Sequence, residues 1–275
     1  MSVSLAPPLV LFAVAARAGA PPTWPAAAAL LAAAGLLHLG ANVLNDYYDF
    51  VRGVDTAGSV GSSGLLSAGL VRPAFFLWTG HLYFGLATVL GLALAIGLRR
   101  PALAGVGFGA VALAYFYTGP GWCFKYAGWG EPVVFLLGGP LLGLACALVA
   151  RGRVDGPLFV MSIPFGLLTA AILLANNLRD QGDDQRAGAR TLPGRLGRQR
   201  SIRLYAVLVG SPALIWGAAW QAGWVPGAAA LPLLLLPLAV PLVRGLRDGY
   251  RRTDQRTAAF HLLNGVLLLA GMLWP

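Results

Sequence analysis

Nine apolar stretches, each about the length that a helix needs to cross a lipid bilayer, dominate this sequence. They cover residues 3–18, 24–48, 73–97, 101–118, 132–150, 157–178, 203–221, 225–243 and 258–274. A helix needs about 20 predominantly apolar residues to span the hydrocarbon core. Only 11% of the residues are charged and 57% are hydrophobic, which excludes an ordinary soluble enzyme. The sequence therefore predicts an all-α polytopic membrane protein with about nine transmembrane helices.

The basic residues are distributed unevenly between the loops. Fifteen of the twenty Lys and Arg residues follow the even-numbered stretches, and five follow the odd-numbered ones. Cytoplasmic loops carry an excess of Lys and Arg, so the loops after the even-numbered stretches are expected to face the cytoplasm. We expect an integral protein of a bacterial cell or inner membrane, with the lipid bilayer as its surroundings.

The net charge of +10 raises the question of a nucleic-acid partner. The cations are divided among short loops and do not form one patch with interleaved aromatic residues, so nucleic-acid binding is not expected. Membrane topology and anionic lipid explain the excess of positive charge. Nothing in the sequence indicates an obligate protein partner.

Six of the ten acidic residues lie in two short segments, 45–55 and 176–184, and each segment comes at the end of an apolar stretch. Carboxylates are costly in or near hydrocarbon, so their clustering at two membrane-helix ends points to a functional site. Both segments follow even-numbered stretches. The site is therefore expected on the cytoplasmic side.

Within each segment, Asn and Asp residues recur at a spacing of four. The first set is Asn45 and Asp49, and the second is Asn176, Asp180 and Asp184. If the helices continue that far, each set lies along one helical face. Oxygen ligands without His or Cys suit a hard cation, and Mg²⁺ is usually held by one or two carboxylates together with substrate phosphates. The segments predict a Mg²⁺ site and a substrate that carries a phosphate or diphosphate.

Lys125 is the only lysine in the chain, against nineteen arginines. It lies in segment 117–126, which is rich in glycine and aromatic residues and follows the fourth apolar stretch. A charge there could simply set the topology. The alternative is that Lys125 binds the anionic substrate on the same side of the membrane as the acidic segments.

The three segments together resemble the motifs of the UbiA-type membrane prenyltransferases, and in particular the branch that prenylates 1,4-dihydroxy-2-naphthoate in menaquinone synthesis. The resemblance rests on residues 42–55, 117–131 and 176–192, in that order along the chain. It implies a single transmembrane prenyltransferase domain over residues 1–275, with the helices around a central cavity. It also implies Mg²⁺ as cofactor, and a polyprenyl diphosphate and an aromatic acceptor as substrates.

The resemblance also implies a role for individual residues. The implied metal ligands are Asn45, Asp46, Asp49, Asn176, Asp180 and Asp184, with Asp46 in a supporting position, and the implied catalytic groups are Asp49, Asp180, Asp184 and Lys125. Lys125 is expected to contact the diphosphate directly. The other implied substrate-binding residues are Asn45, Asn176, Asn177, Tyr117, Arg52, Arg179 and Arg190. For the naphthoate branch, the ring carboxylate is expected to leave as CO₂ when the prenyl group enters.

Two alternatives stay open at this stage. The acceptor could be 4-hydroxybenzoate, homogentisate or another phenol, which composition does not separate. A transporter is the other class, but it predicts ionisable residues near the bilayer midplane and broken helices with inverted repeats. The acids here lie at one membrane face instead.

The three histidines of the chain carry a weaker signal than the acidic segments. His38 lies seven residues before Asn45, on a similar helical face. We expect it to be a packed, hydrogen-bonded histidine, with a position in the cavity as the alternative. His81 and His261 lie in stretches without acidic partners, and we expect both to be structural.

Overall fold

The computed structural model describes residues 2–55 and 63–274, and every regular element within those ranges is a helix. The helices are α1 (Ser2–Arg17), α2 (Trp24–Val51), α3 (Pro73–Gly97), α4 (Pro101–Thr118), α5 (Gly130–Gly138), α6 (Pro140–Arg151), α7 (Gly156–Arg179), α8 (Gln181–Arg186), α9 (Leu192–Leu196), α10 (Arg198–Gln221), α11 (Ala239–Arg247) and α12 (Thr253–Leu273). A 3₁₀ segment, Gly227–Leu238, precedes α11.

All nine predicted apolar stretches lie in these helices. Eight helical segments of the described chain are long and apolar enough to cross a membrane, and α1 is a shorter apolar helix. The fifth and eighth stretches are each divided, into α5 and α6 and into the 3₁₀ segment and α11. The predicted all-α membrane fold is confirmed.

Proline explains where the two divided stretches are interrupted. Pro140 begins α6 directly after Gly139, and proline has no N–H to continue the helix from α5. The 3₁₀ segment contains Pro232 and Pro237, each of which removes an i→i−4 hydrogen bond. Gly139 and Pro140 are buried, so neighbouring helices cover the first interruption, whereas Pro232 is buried and Pro237 is exposed in the second.

Glycines bring α7 very close to α5 and α6. A Cβ atom added to Gly139 would lie 2.9 Å from the Cα of Gly166, and one added to Gly166 would lie 2.5 Å from the carbonyl oxygen of Phe135. In a membrane, helices associate through such close backbone contacts because the surrounding lipid is as apolar as the helix surfaces. These contacts fix the position of α7, which carries the second acidic segment.

The C-terminal ends of α2, α4 and α7 meet at one end of the bundle. A backbone hydrogen bond from Arg190 N to Tyr126 O (3.1 Å) joins the loop after α8 to the loop after α4. A side-chain contact from Lys125 to Asp49 joins the loop after α4 to α2. The fold therefore brings the three predicted motifs together.

Replacing Gly166 by alanine is expected to destabilise the bundle by about 1–3 kcal/mol, the usual cost of overpacking, because the new methyl group would meet backbone atoms. Thermal unfolding in detergent measures the effect. Gly210→Ala in α10 is the control, because nothing lies within 4 Å of a Cβ there. Equal melting temperatures for the two variants would contradict the close contact.

Candidate active site

A mainly apolar cavity of about 570 Å³ lies among α2, α3, α4 and α7. Its walls are chiefly Leu, Ala, Gly and Val side chains, and one end is polar. Five residues predicted for the site line that end: Asn45, Asp46, Tyr117, Lys125 and Asn176. A ligand with a hydrocarbon tail and a charged head would match a cavity that has apolar walls and one polar end.

Asp49 is the centre of a group of hydrogen bonds at the end of α2. Lys125 Nζ lies 2.5 Å from Asp49 Oδ2 and 3.1 Å from Asn45 Oδ1, and Asn45 Nδ2 lies 2.8 Å from Asp49 Oδ2. The hydroxyl of Tyr126 donates to Asp49 Oδ1. Asp49 is only 3% exposed. The four-residue spacing has thus placed Asn45 and Asp49 side by side, as expected, and Lys125 neutralises the buried carboxylate.

The charge of Lys125 is maintained by this pairing. Burial alone would lower the pKa of Lys125, because an ammonium group is less stable away from water. The Asp49 carboxylate acts in the opposite direction, with smaller contributions from Asp184 and Asp55, and together they raise the pKa of Lys125 above its ordinary value of 10.5. Lys125 is therefore a cation at neutral pH.

Arg52 supports the loop that carries Lys125. Its guanidinium donates to the backbone carbonyl of Thr118, with 2.6 Å between Nη1 and O. It also lies 5.2 Å from the ring centre of Tyr48 and 5.0 Å from that of Tyr126, within cation–π distance. Arg52 is exposed and does not line the cavity. These contacts favour a supporting position for Arg52.

Arg179 pairs with the second acidic segment. Its Nε and Nη2 atoms lie 2.8 Å and 2.7 Å from the two oxygens of Asp180, a bidentate pair. Nη2 also donates to Asn176 Oδ1 at 2.5 Å, and Nη1 donates to Asp254 Oδ2 at 2.5 Å. One guanidinium therefore holds two predicted metal ligands of the second motif and ties them to α12.

The second acidic segment is divided between two helices, so the condition for a single helical face of Asn176, Asp180 and Asp184, one continuous helix, is not met. Helix α7 ends at Arg179, Asp180 is its cap, and Asp184 lies in the short α8. Gly182, a poor helix former, lies two residues after the cap. Backbone bonds still join Asp180 N to Asn176 O and Asp184 N to Asp180 O, both at 3.0 Å, so the three residues stay consecutive turns apart.

Asp184 is buried in α8, with 3% of its surface exposed. Burial raises the pKa of Asp184 to about 6, and Asp180 and Asp49 add to the shift while Lys125 opposes it. Its Oδ2 atom has no hydrogen-bond partner among the described residues. An unpaired, buried carboxylate oxygen is costly, so this atom is a candidate for contact with a cation.

The remaining predicted residues lie around this centre. Asn177 is buried and donates from Nδ2 to Glu131 Oε1 at 3.0 Å, so it faces α5 and not the cavity. Asp46 accepts from the backbone N–H of Ser63 at 3.3 Å. Arg190 is exposed and contacts the site through its backbone bond to Tyr126.

In the part of the chain that the structure describes, no three Asp, Glu, His or Cys side chains form a ready-made metal site. The carboxylates of the two motifs are instead engaged by cations, Asp49 by Lys125 and Asp180 by Arg179. In each pair a negative charge lies beside a positive one, at the ends of α2 and α7.

Two contact residues were not assigned a role from the sequence. Tyr126 directly follows Lys125, so its place in the same motif was the available signal. Asp254 lies 75 positions from Arg179, and nothing in its local sequence indicates the contact. Among the histidines, His81 bonds to Leu77 O at 2.7 Å as a structural residue would, whereas His38 lines the cavity.

A model of the UbiA prenyltransferase family matches residues 5–265. The chain belongs to the UbiA prenyltransferase family. The family resemblance seen in the three motifs and the predicted enzyme class are both confirmed. The protein is a prenyltransferase.

Curated relatives cover most of the chain. The 1,4-dihydroxy-2-naphthoate octaprenyltransferase of Mycobacterium tuberculosis is 36% identical over 214 residues, which are 77% of this chain and 72% of the relative. UbiA prenyltransferase domain-containing protein 1 of Gallus gallus is 34% identical over 242 residues, 86% of this chain and 71% of the relative. The two relatives are similar to this chain to nearly the same degree, so identity alone does not select the acceptor.

Solved structures share the fold. The apo structure of a UbiA homologue from Aeropyrum pernix K1 has a TM-score of 0.76 at 14% identity and covers 98% of this chain and 96% of its own. A UbiA homologue from Archaeoglobus fulgidus bound to DMAPP and Mg²⁺ has a TM-score of 0.63, also at 14% identity, with coverage of 98% and 96%. At this identity the likeness establishes the fold of the membrane bundle.

Asp254→Ala is expected to destabilise the protein by about 1–3 kcal/mol, between the values typical of exposed and buried ion pairs. The reason is that Arg179, whose side chain is 8% exposed, would lose one of its two carboxylate partners. Asp183→Ala is the control, because its ion pair with Arg186 is largely exposed. Thermal unfolding in detergent measures both, and a loss as large in Asp183→Ala would contradict the account.

Proposed function

We propose that the protein transfers a polyprenyl group from an allylic polyprenyl diphosphate to 1,4-dihydroxy-2-naphthoate, in a Mg²⁺-dependent step of menaquinone synthesis at the cytoplasmic membrane face. The observation that carries this proposal is the polar end of the cavity, where Lys125 and oxygen donors from α2 and α7 lie above apolar walls. The naphthoate-specific relatives support the acceptor, and the distribution of basic residues supports the orientation.

The residues present fit Mg²⁺. The donors of the two motifs are oxygens of Asp and Asn, the type that Mg²⁺ prefers, and Asp184 has a buried oxygen without a partner. We propose that Asn45, Asp46, Asp49, Asn176, Asp180 and Asp184 hold the metal. When bound, Mg²⁺ offsets negative charge on the diphosphate as the allylic carbon–oxygen bond ionises.

Lys125 supplies the matching contact from the protein. An ammonium about 4 Å from one anionic oxygen is worth roughly 4 kcal/mol at an effective dielectric near 20. We propose that Lys125 binds the diphosphate, with Tyr117 beside it at the same end of the cavity, and that Asp49, its partner in the structure, would then serve as a ligand of the metal. Asn177, Arg52, Arg179 and Arg190 then act as supports for these groups.

The apolar walls serve the rest of the substrate. Each buried CH₂ group of the prenyl tail contributes about 0.8 kcal/mol. The same walls keep water from the allylic cation, which would otherwise be hydrolysed. The cation then forms a carbon–carbon bond with the ring carbon that carries the carboxylate. The C1–O bond has broken to release diphosphate, and CO₂ leaves with its bonding electron pair returned to the ring.

The test is turnover by the detergent-purified protein with Mg²⁺, a polyprenyl diphosphate and a panel of aromatic acceptors, scored by product mass. We expect a prenylated product that has lost CO₂ from 1,4-dihydroxy-2-naphthoate. Product from 4-hydroxybenzoate or homogentisate alone would contradict the acceptor. No product with any acceptor, together with ion flux in liposomes, would overturn the proposed activity.

Asp49→Ala and Asp180→Ala are each expected to reduce turnover more than about 100-fold, because each removes a proposed ligand of the cation that offsets the leaving group's charge. Asp183→Ala is the matched control in the second segment and should retain activity, since Asp183 pairs with exposed Arg186. Size-exclusion chromatography verifies folding. Near-normal turnover by both site variants would show that the metal assignment is wrong.

Lys125→Met is expected to raise the KM for the polyprenyl diphosphate at least tenfold and to leave the KM for the acceptor within about twofold, because it removes one charge-assisted contact to the anion. Lys125→Arg restores part of the affinity. Steady-state kinetics with each substrate varied in turn measures both constants. An unchanged KM for the diphosphate in Lys125→Met would contradict the proposed contact.

A further inference from the structure

Two polar residues of α2, His38 and Asn42, line the cavity below its polar end. They share a helical face with Asn45 and Asp46, since His38, Asn42 and Asp46 are each four residues apart. At 1.5 Å per residue, Asn42 lies about 4.5 Å and His38 about 10.5 Å along the helix axis from Asn45. The polar face of α2 therefore continues well into the apolar part of the cavity.

His38 is half-buried and Asn42 is exposed where they line the mainly apolar cavity, and neither side chain forms a hydrogen bond with another residue of the described ranges. His81, also in a membrane-spanning helix, satisfies its ring with the carbonyl of Leu77 at 2.7 Å. Thr88, on the cavity wall formed by α3, donates to the carbonyl of Phe84 at 2.8 Å. A polar group in an apolar environment without a partner is costly, so His38 and Asn42 are suited to a partner that enters the cavity.

The chemistry of the two substrates decides which of them that partner is. Beyond its diphosphate, a polyprenyl chain is hydrocarbon and offers no hydrogen-bonding group. The diphosphate itself is accounted for at the polar end, by Lys125 and the oxygen donors. An aromatic acceptor carries hydroxyl and carboxylate groups, which an imidazole and an amide can bind as donor or acceptor.

We propose that His38 and Asn42 form the subsite for the polar edge of the aromatic acceptor, and that they hold its ring next to C1 of the prenyl chain. This inference rests on the proposed function. Asn42 lies nearer to the diphosphate end, where the acceptor ring must meet C1, and His38 binds the more distant polar group. The prenyl tail then lies along the apolar walls, to which α3 and α4 contribute.

The test is steady-state kinetics of His38→Leu and Asn42→Leu, with His81→Leu as the matched control. We expect each subsite variant to raise the KM for 1,4-dihydroxy-2-naphthoate at least tenfold and to leave the KM for the polyprenyl diphosphate within about twofold. His38→Gln, which retains hydrogen-bonding groups, should recover part of the acceptor affinity. His81→Leu should keep both constants near those of the unmodified protein.

The outcomes separate the two inferences. Suppose that the unmodified protein is active and that His38→Leu and Asn42→Leu have the same KM for the acceptor as the unmodified protein. The two side chains then do not contact the acceptor, and the subsite is refuted. An equal rise in the KM for the diphosphate would also refute it, because it would place the residues on the prenyl path. The activity of the unmodified protein is therefore measured before that of any variant. If it converts no acceptor, the proposed function is refuted, and the subsite that rests on it is refuted as well.

Discussion

The structure depends on keeping buried carboxylates at the ends of two membrane-spanning helices. Taking a carboxylate out of water is expensive unless a cation or several donors compensate for it. Lys125 and Tyr126 compensate Asp49, and Arg179 compensates Asp180. Because Lys125 comes from the loop after α4, its pairing with Asp49 also draws the first and middle motifs together, and the backbone bond from Arg190 to Tyr126 joins the loop after α8 to them.

In the proposed function, the same pairing prepares the site for its substrates. Asp49 would become a ligand of the metal and the diphosphate would offer Lys125 a new anion, so both groups would keep an opposite charge. Arg179 has Asp254 as a second partner and does not depend on Asp180 alone. The close glycine contacts between α7 and α5–α6 fix the helix that carries the second motif. Preorganised groups of this kind stabilise charge as it develops.

Much of this arrangement could be predicted from the sequence, because membrane insertion leaves few choices. Long apolar stretches require helices, and the spacing of Asn45 and Asp49 placed them side by side. Where α7 ends relative to Asp180 stayed open, because the four-residue spacing of Asn176, Asp180 and Asp184 does not reveal where a helix ends. Asp254 was missed because its contact joins α12 to α7 across 75 positions. The cavity position of His38 depends on how α2 faces its neighbours, which helical periodicity alone does not decide.

The most direct test of the exchange of partners is a structure of the protein with Mn²⁺ in place of Mg²⁺ and an unreactive thiolo analogue of the polyprenyl diphosphate. Anomalous scattering locates the metal. The account predicts Mn²⁺ bound by oxygens of both acidic segments, Asp49 and Asp180 among them, and Lys125 Nζ within hydrogen-bond distance of the diphosphate. A metal away from either segment, or Lys125 still paired with Asp49 and out of reach of the diphosphate, would contradict it.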